Sequence, residues 1–249
     1  EGKERFSWAD FERIKYDRQY PRNGPAARIW QDFASLPDTS DPLLTKALQI
    51  VRQWNLSGDG ENRSAALCAL AVQWAFRRYK LPGYSWLETA QATIPVEGRW
   101  KALHWAAAQL KKYYGRLDPA WKEVQAIEVQ NRRYPIGGLP EQLAPAYGSW
   151  DQKKGFLRVE GGDTYIQMVR FPPPSENASQ PLPIIETILP LGVSGRPGTP
   201  HYADQLALFH RGRRKTMTLN PGEIERNKVQ AYTLRSDFLS QIALPSSKK

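Results

Sequence analysis

Cysteine is nearly absent from this chain: Cys68 is the single example in 249 residues, so an intrachain disulfide is excluded. It sits in the run Ala-Ala-Leu-Cys-Ala-Leu-Ala-Val, where a free thiol behaves as a small hydrophobe. A nucleophilic role would require a cationic neighbour in space, which a sequence does not display. Long apolar runs are missing too. None reaches the roughly 18 residues of a membrane-spanning helix, and the start, EGKERFSW, lacks the charged-then-apolar layout of a signal peptide. No internal repeat and no low-complexity tract interrupts the chain. Histidine is scarce, at three residues, and none has neighbours at the spacing of a metal site. We therefore expect no metal site.

What is present is enough apolar material for a core, 41% hydrophobic with 11% aromatic residues, in a length that fits one large domain or two small ones. The formal net charge is +10, a balance that can point to nucleic acid or anionic surfaces. Here the cations are spread through helices and turns. Only Arg211 to Lys215 and the Lys248-Lys249 tail form clusters, and no nucleic-acid motif accompanies them, so a solvated basic face with no nucleic-acid partner is expected.

The first half reads as helical. Trp8, Phe11, Ile14 and Lys15 begin an amphipathic pattern. Leu43, Leu44, Ala47, Leu48, Val51 and Trp54 repeat at three-and-four spacing after Ser40-Asp41-Pro42, an entry suited to an N-cap and first turn. A third helix, Ser64 to Tyr79, is apolar around much of its circumference and should be the most buried. A fourth runs from about Pro95 to Tyr114 and stops at Gly115. Beyond Gly115 the pattern reads as a long loop punctuated by Gly, Pro and Tyr, then as period-two strands at Phe156–Val159, Thr164–Phe171 and Ile184–Leu191. Further strands near Lys215–Leu219 and Ala231–Leu234 would flank a short helix opened by Asn220-Pro221, and Phe171 to Gln180 reads as a hairpin-like surface loop. Helices followed by antiparallel strands give an α+β class, with a helical segment over residues 1–125 and a loop-rich, stranded segment over 126–249, both parts of one larger domain.

Several residue groups invite a chemical reading. Asp59, Glu61 and Asn62 lie in a polar loop, but their spacing is not that of a calcium-binding loop, so a polar linker is expected. Gly148-Ser149 looks superficially like a self-processing junction and is accounted for by turn chemistry. His104 and His210 have no partner that the sequence names. Asp163, after Gly161-Gly162 and at the start of a strand, fits either an Asx-turn or a side chain presented to a site. In Ser194-Gly195-Arg196-Pro197-Gly198-Thr199-Pro200-His201-Tyr202-Ala203-Asp204-Gln205, one imidazole, one phenol and one carboxylate fall close together. That is fewer groups than a zinc site needs, and a structural hydrogen-bonded corner is the alternative to a catalytic one.

Taken in order, YYGRLDPAW, the Gly-Gly-Leu-Pro loop, GGDTY with Gly162, Asp163 and Tyr165, and SGRPGTPHYADQ resemble the C-terminal part of the large subunit of penicillin acylase-type amidohydrolases. The likeness is closest to the cephalosporin and N-acyl-homoserine lactone acylases. It is strongest from Tyr114 to Glu223 and weaker before, where only a helix-loop-helix layout recurs. The resemblance implies a four-layer αββα sandwich of the N-terminal nucleophile hydrolases. It also implies hydrolysis of an acyl amide, such as an N-acyl-homoserine lactone or a β-lactam or lipopeptide side chain, in the periplasm or outside the cell, and it implies no cofactor. In that family the nucleophile is the first residue of the large subunit, usually Ser, with its own α-amine as base. Glu1 carries no attacking hydroxyl, so by this resemblance the nucleophile is expected outside this chain. The chain alone is expected to be inactive, with remaining large-subunit sequence and a small α subunit as partners. The resemblance gives Asp163 a supporting role, orienting a His that is also outside this chain. Gly162, Tyr165, Ser194, Gly195, His201, Tyr202, Asp204 and Gln205 are left as a structural motif. The competing expectation is a binding or assembly module that keeps the scaffold without the chemistry.

Overall fold

The computed structural model describes residues 5–79, 94–173 and 181–231. Helix α1 (Trp8–Lys15) begins in a capping box, with Ser7 Oγ accepting from the Asp10 amide and the Asp10 carboxylate accepting from the Ser7 amide. Helix α2 (Pro25–Ala34) enters through Gly24 with Pro25 in its first turn, where proline forfeits no helical hydrogen bond. The sequence pattern had not marked it. Helix α3 (Pro42–Gln53) is capped by the Asp41 carboxylate, 2.9 Å from the Leu44 amide. Helix α4 (Ala65–Tyr79) starts where the Asn62 side-chain oxygen accepts from the Ser64 and Ala65 amides, at 2.9 Å each. Helix α5 (Val96–Tyr114) ends at Gly115 in the left-handed conformation, φ 69°, which glycine adopts without a Cβ penalty.

Helix α4 carries nine buried residues, against six in the longer α5, as its all-round apolar pattern predicts. Small side chains, Ala66, Ala69, Ala102 and Ala106 among them, keep the helices of this core close together. Cys68 is fully buried among them, and burial pushes its thiol pKa well above the ordinary value, so it is inert packing.

The segment after Gly115 departs from the sequence reading. A one-turn helix α6 (Trp121–Val124) leads into β1 (Gln125–Val129), β2 (Arg132–Pro135) and β3 (Ala146–Asp151), where a long loop was expected. Strands β1 and β2 form a hairpin with Val129 opposite Arg132, and both turn residues, Gln130 and Asn131, have positive φ. Such a turn usually contains glycine, which is why Gln-Asn gave no signal. Pro135 closes β2, an edge strand, where a missing N–H is tolerated. Strand β4 (Phe156–Gly162) pairs antiparallel with β3 and parallel with β1, giving the order β2-β1-β4-β3. The sheet is therefore mixed, not antiparallel throughout. A parallel pair between strands about thirty residues apart requires a long connection, and β2 and β3 fill it.

Gly148-Ser149 also differs from expectation, lying inside β3 at a bulge and not in a turn. A Cβ on Gly148 would stand 2.6 Å from the Arg158 carbonyl of β4, so close strand approach requires the glycine. The Ser149 hydroxyl accepts from Arg77 at 2.9 Å. Trp150 and Leu157 carry the helical core onto this sheet.

Contacts divide the chain into one unit of residues 1–166 and 188–213 and a second of residues 167–187 and 214–249. The second holds all but one end residue each of β5 (Ile166–Arg170) and β6 (Ile184–Ile188) and the whole of β7 (Lys215–Met217), in the order β5-β6-β7, and α8 (Pro221–Asn227), capped by Asn220. Helix α7 (Leu206–His210) belongs to the first unit. Within the Arg211–Lys215 cluster Arg214 is buried against Glu186 at 3.1 Å, while Arg211, Arg213 and Lys215 are exposed. Most of the strand expected at Ala231–Leu234 and most of the loop from Phe171 to Gln180 lie outside the described residues.

Candidate functional site

Asp163 directly follows β4, and the glycines before it decide where it stands. A Cβ on Gly162 would lie 2.7 Å from the Pro145 carbonyl, so only glycine lets the end of β4 run against the segment leading into β3. The Asp163 carboxylate is about one-fifth exposed, and Lys15 Nζ donates to both of its oxygens, at 2.9 and 3.2 Å. The same ammonium donates to the Leu143 carbonyl at 2.8 Å. Asp163 is thus tied to the last turn of α1. Among the described residues its hydrogen bonds come from Lys15, not from the neighbouring amides that an Asx-turn would use.

Two clefts of about 330 Å³ each meet at this point, with Ile136, Pro145, Asp163 and Phe209 lining both. The first also holds Tyr16, Arg18 and His210. The second is walled by Ile127, Val159, Leu191 and Gly192 and is more apolar. Apolar walls with a few convergent polar groups are the usual make-up of small-molecule sites.

The segment from Ser194 to Gln205 forms a hydrogen-bonded corner beside the second cleft. His201 Nδ1 is 2.9 Å from Asp204 Oδ2, and the His201 carbonyl accepts from the Ser194 amide at 2.9 Å. The Ser194 hydroxyl accepts from Thr199 Oγ1 at 2.7 Å and from the Arg196 amide at 3.2 Å. Tyr202 donates its amide to Thr199. Gln205 is buried; its amide donates to the Leu191 carbonyl and its side-chain oxygen accepts from the Leu189 amide. The corner therefore fixes Leu189 and Leu191, which line the cleft with Asp163. Space is tight at Gly192, where a Cβ would stand 2.6 Å from Asp204 Oδ1, and open at Gly195. The bend comes from Gly198, φ 85°. The His201 imidazole is two-thirds exposed and lines neither cleft. Tyr165 is half exposed.

Sequence reasoning named His210 and Lys15 but not the partners that bring them to the site. His210 Nδ1 lies 2.6 Å from the Pro135 carbonyl, which can only accept, so Nδ1 carries the proton and Nε2 remains for another group. Its ring meets Tyr134 edge-on at 6.0 Å. Both partnerships cross large sequence distances and leave no local signal. The polar loop resolves as expected of a linker: Asp59 accepts from the Glu61 amide, Glu61 pairs with Lys122, and Asn62 caps α4. Among the described residues no group of three or more His, Cys, Asp or Glu side chains could hold a metal ion, and no helix is long and apolar enough to cross a membrane.

Fold and site together define an α+β scaffold that presents one partly buried carboxylate between two clefts. The penicillin amidase family model matches residues 1–226, and the chain belongs to that family. Among solved structures it is similar to the thermostable penicillin G acylase from Alcaligenes faecalis, at 16% identity and a TM-score of 0.42, covering 94% of this chain and 50% of that one. The chain thus spans about half the length of that acylase chain.

Proposed function

We propose that this chain is scaffold for an N-acyl amide hydrolase whose nucleophile, an N-terminal serine, is supplied by polypeptide outside it. In this scheme the serine attacks the amide carbonyl, backbone or side-chain donors hold the oxyanion, and water releases the acyl group from the acyl-enzyme. Those groups belong to the remaining large-subunit sequence and a small α subunit, in the periplasm or outside the cell. The substrate class is an acyl amide such as an N-acyl-homoserine lactone or a β-lactam or lipopeptide side chain.

The observation that carries the reading, beside family membership, is the placement of Asp163. A carboxylate offers about four acceptor positions, and Lys15 takes two of them. The remaining lone pairs can accept an imidazole N–H and fix its tautomer, which makes Asp163 a positioning residue. The corner from Ser194 to Gln205 keeps the adjoining cleft wall in place and takes no part in the chemistry.

Mass and N-terminal sequence of the polypeptides co-purifying with this chain, with acylase activity assayed on the same fractions, test the proposal. A partner beginning with Ser and active fractions are expected. A stable chain without such a partner and without activity points instead to a binding module. In the active assembly, Asp163→Asn lowers kcat by about a hundredfold or more, with KM little changed and the pH profile of kcat/KM displaced. An unmoved pH profile would leave Asp163 a merely structural residue.

A further inference from the structure

The first cleft contains a cation that the acylase reading does not use. Arg18 Nε is buried and has no hydrogen-bond partner among the described residues, whereas buried donors are almost always paired, and charged ones are the costliest to leave alone. The residue is firmly seated. Its carbonyl accepts from the Gly58 amide at 2.8 Å and from Gln142 Nε2 at 2.6 Å. Its guanidinium lies against Gly137, where a Cβ would stand 3.0 Å from Nη1 and 2.9 Å from the Gly60 amide nitrogen. Glycine at 137 thus makes room for the guanidinium at the cleft floor.

Other charges around the cleft are engaged. Lys122 pairs with Glu61, Asp163 with Lys15, and the Asp59 carboxylate turns back onto the Glu61 amide. Tyr16, Ile136, Pro145 and Phe209 supply the apolar walls, and His210, with Nδ1 committed to Pro135, retains Nε2. Three carboxylates at the margin disfavour a dianion, while a fixed guanidinium matches a planar, singly charged acceptor by two parallel hydrogen bonds.

We propose that Arg18 anchors a carboxylate-binding site in this cleft, taking a small organic acid with an apolar body. The carboxylate arrives on a free molecule or on an acidic side chain of polypeptide outside this chain, the recognition chemistry being the same. The proposal stands apart from the acylase reading, because binding is measured without turnover.

The test is a titration of the full chain with benzoate, followed by amide NMR, beside its neutral isostere benzamide and inorganic phosphate. Benzoate should shift saturably the resonances of Ile136, Gly137 and Phe209 and bind about tenfold or more tighter than benzamide, with phosphate weaker than benzoate. Arg18→Gln should abolish the difference between benzoate and benzamide. Arg18→Lys, which keeps charge and folding but loses the fork, should retain only part of it. Phe209→Ala should weaken both ligands alike and serves as the control should Arg18→Gln misfold. Repeating the titration on the assembled protein separates the sources: retained binding means a free ligand, and lost binding means that an acidic side chain fills the site. Equal affinity for benzoate and benzamide, undiminished benzoate binding in Arg18→Gln, or no binding to the full chain would overturn the proposal.

Discussion

Helices α4 and α8 begin with the same local device and end in opposite circumstances. Asn62 caps α4 and Asn220 caps α8, each through its side-chain oxygen. Yet α4 buries nine residues and α8 none. The contrast extends to the units that contain them. In the first, Leu67, Leu70, Leu103 and Leu110 are wholly buried, while in the second Phe171, Leu182, Met217 and Ile224 face solvent. A cap fixes where a helix starts; packing of an apolar face decides how firmly it is held. The first unit holds the large apolar core, although Phe6, Leu143 and Val193 on it are exposed, whereas the second leaves much of its own apolar surface uncovered, the condition of a segment with surface available to further polypeptide.

The sharpest way to break this comparison is to delete the same apolar bulk from both helices. Leu70→Ala should cost about 2–5 kcal/mol, from lost burial and the cavity left behind, measured by urea unfolding. Ile224→Ala, at a half-exposed position, should change global stability by no more than about 0.5 kcal/mol. A large loss at Ile224 would mean that α8 packs on something, and that the second unit is closed after all.

What could be read from sequence divides along a similar line. Helices α3, α4 and α5 were legible because their apolar residues repeat at helical spacing between strong punctuation, Asp41-Pro42 at one start and Gly115 at one end. Strands β1 to β3 were not, since they are short, partly polar, and turned by Gln130-Asn131 without glycine. The β1–β4 pairing is a long-range choice made by the core. At the site, Gly161-Gly162-Asp163 was legible from its glycines and its family likeness. The ammonium that holds Asp163 lies 148 residues away in sequence, and the carbonyl that sets the His210 tautomer lies 75 away. Arg18 carried no signal at all, because its meaning depends on Nε lacking a partner among the described residues, which only three dimensions reveal.

A smaller effect sharpens the comparison at the caps themselves. Asn62→Ala should cost about 1 kcal/mol of global stability, because α4 cannot fray without opening the core. Asn220→Ala should remove the same bond to the Glu223 amide and yet leave the global transition in place, with faster amide exchange confined to α8. Comparable global losses in the two variants would show that α8 is cooperative with the rest of the fold.

The smallest expected effect is electrostatic, and burial again separates two cases. Glu128 on β1 is only 12% exposed and accepts from Lys154 beyond β3 and from Arg133 on β2. The Lys154 hydrogen bond, with Arg133 adding to it, lowers its pKa below the ordinary carboxylate value. A group whose pKa is depressed by folding binds protons more readily in the unfolded chain. Its contribution is therefore fully present above an unfolded value of about 4.3 and is lost as pH falls through the folded value. Glu128→Gln should lower stability at neutral pH and flatten its decline below about pH 4.3 in acid-unfolding curves. Glu160, paired with Arg158 where both side chains are about half exposed, should behave otherwise. Glu160→Gln should change stability by at most about 0.5 kcal/mol, because water already screens the pair. Identical acid limbs for the two variants would mean that Glu128 is no better sheltered than Glu160, and that the strands it joins are held by their backbone ladder alone.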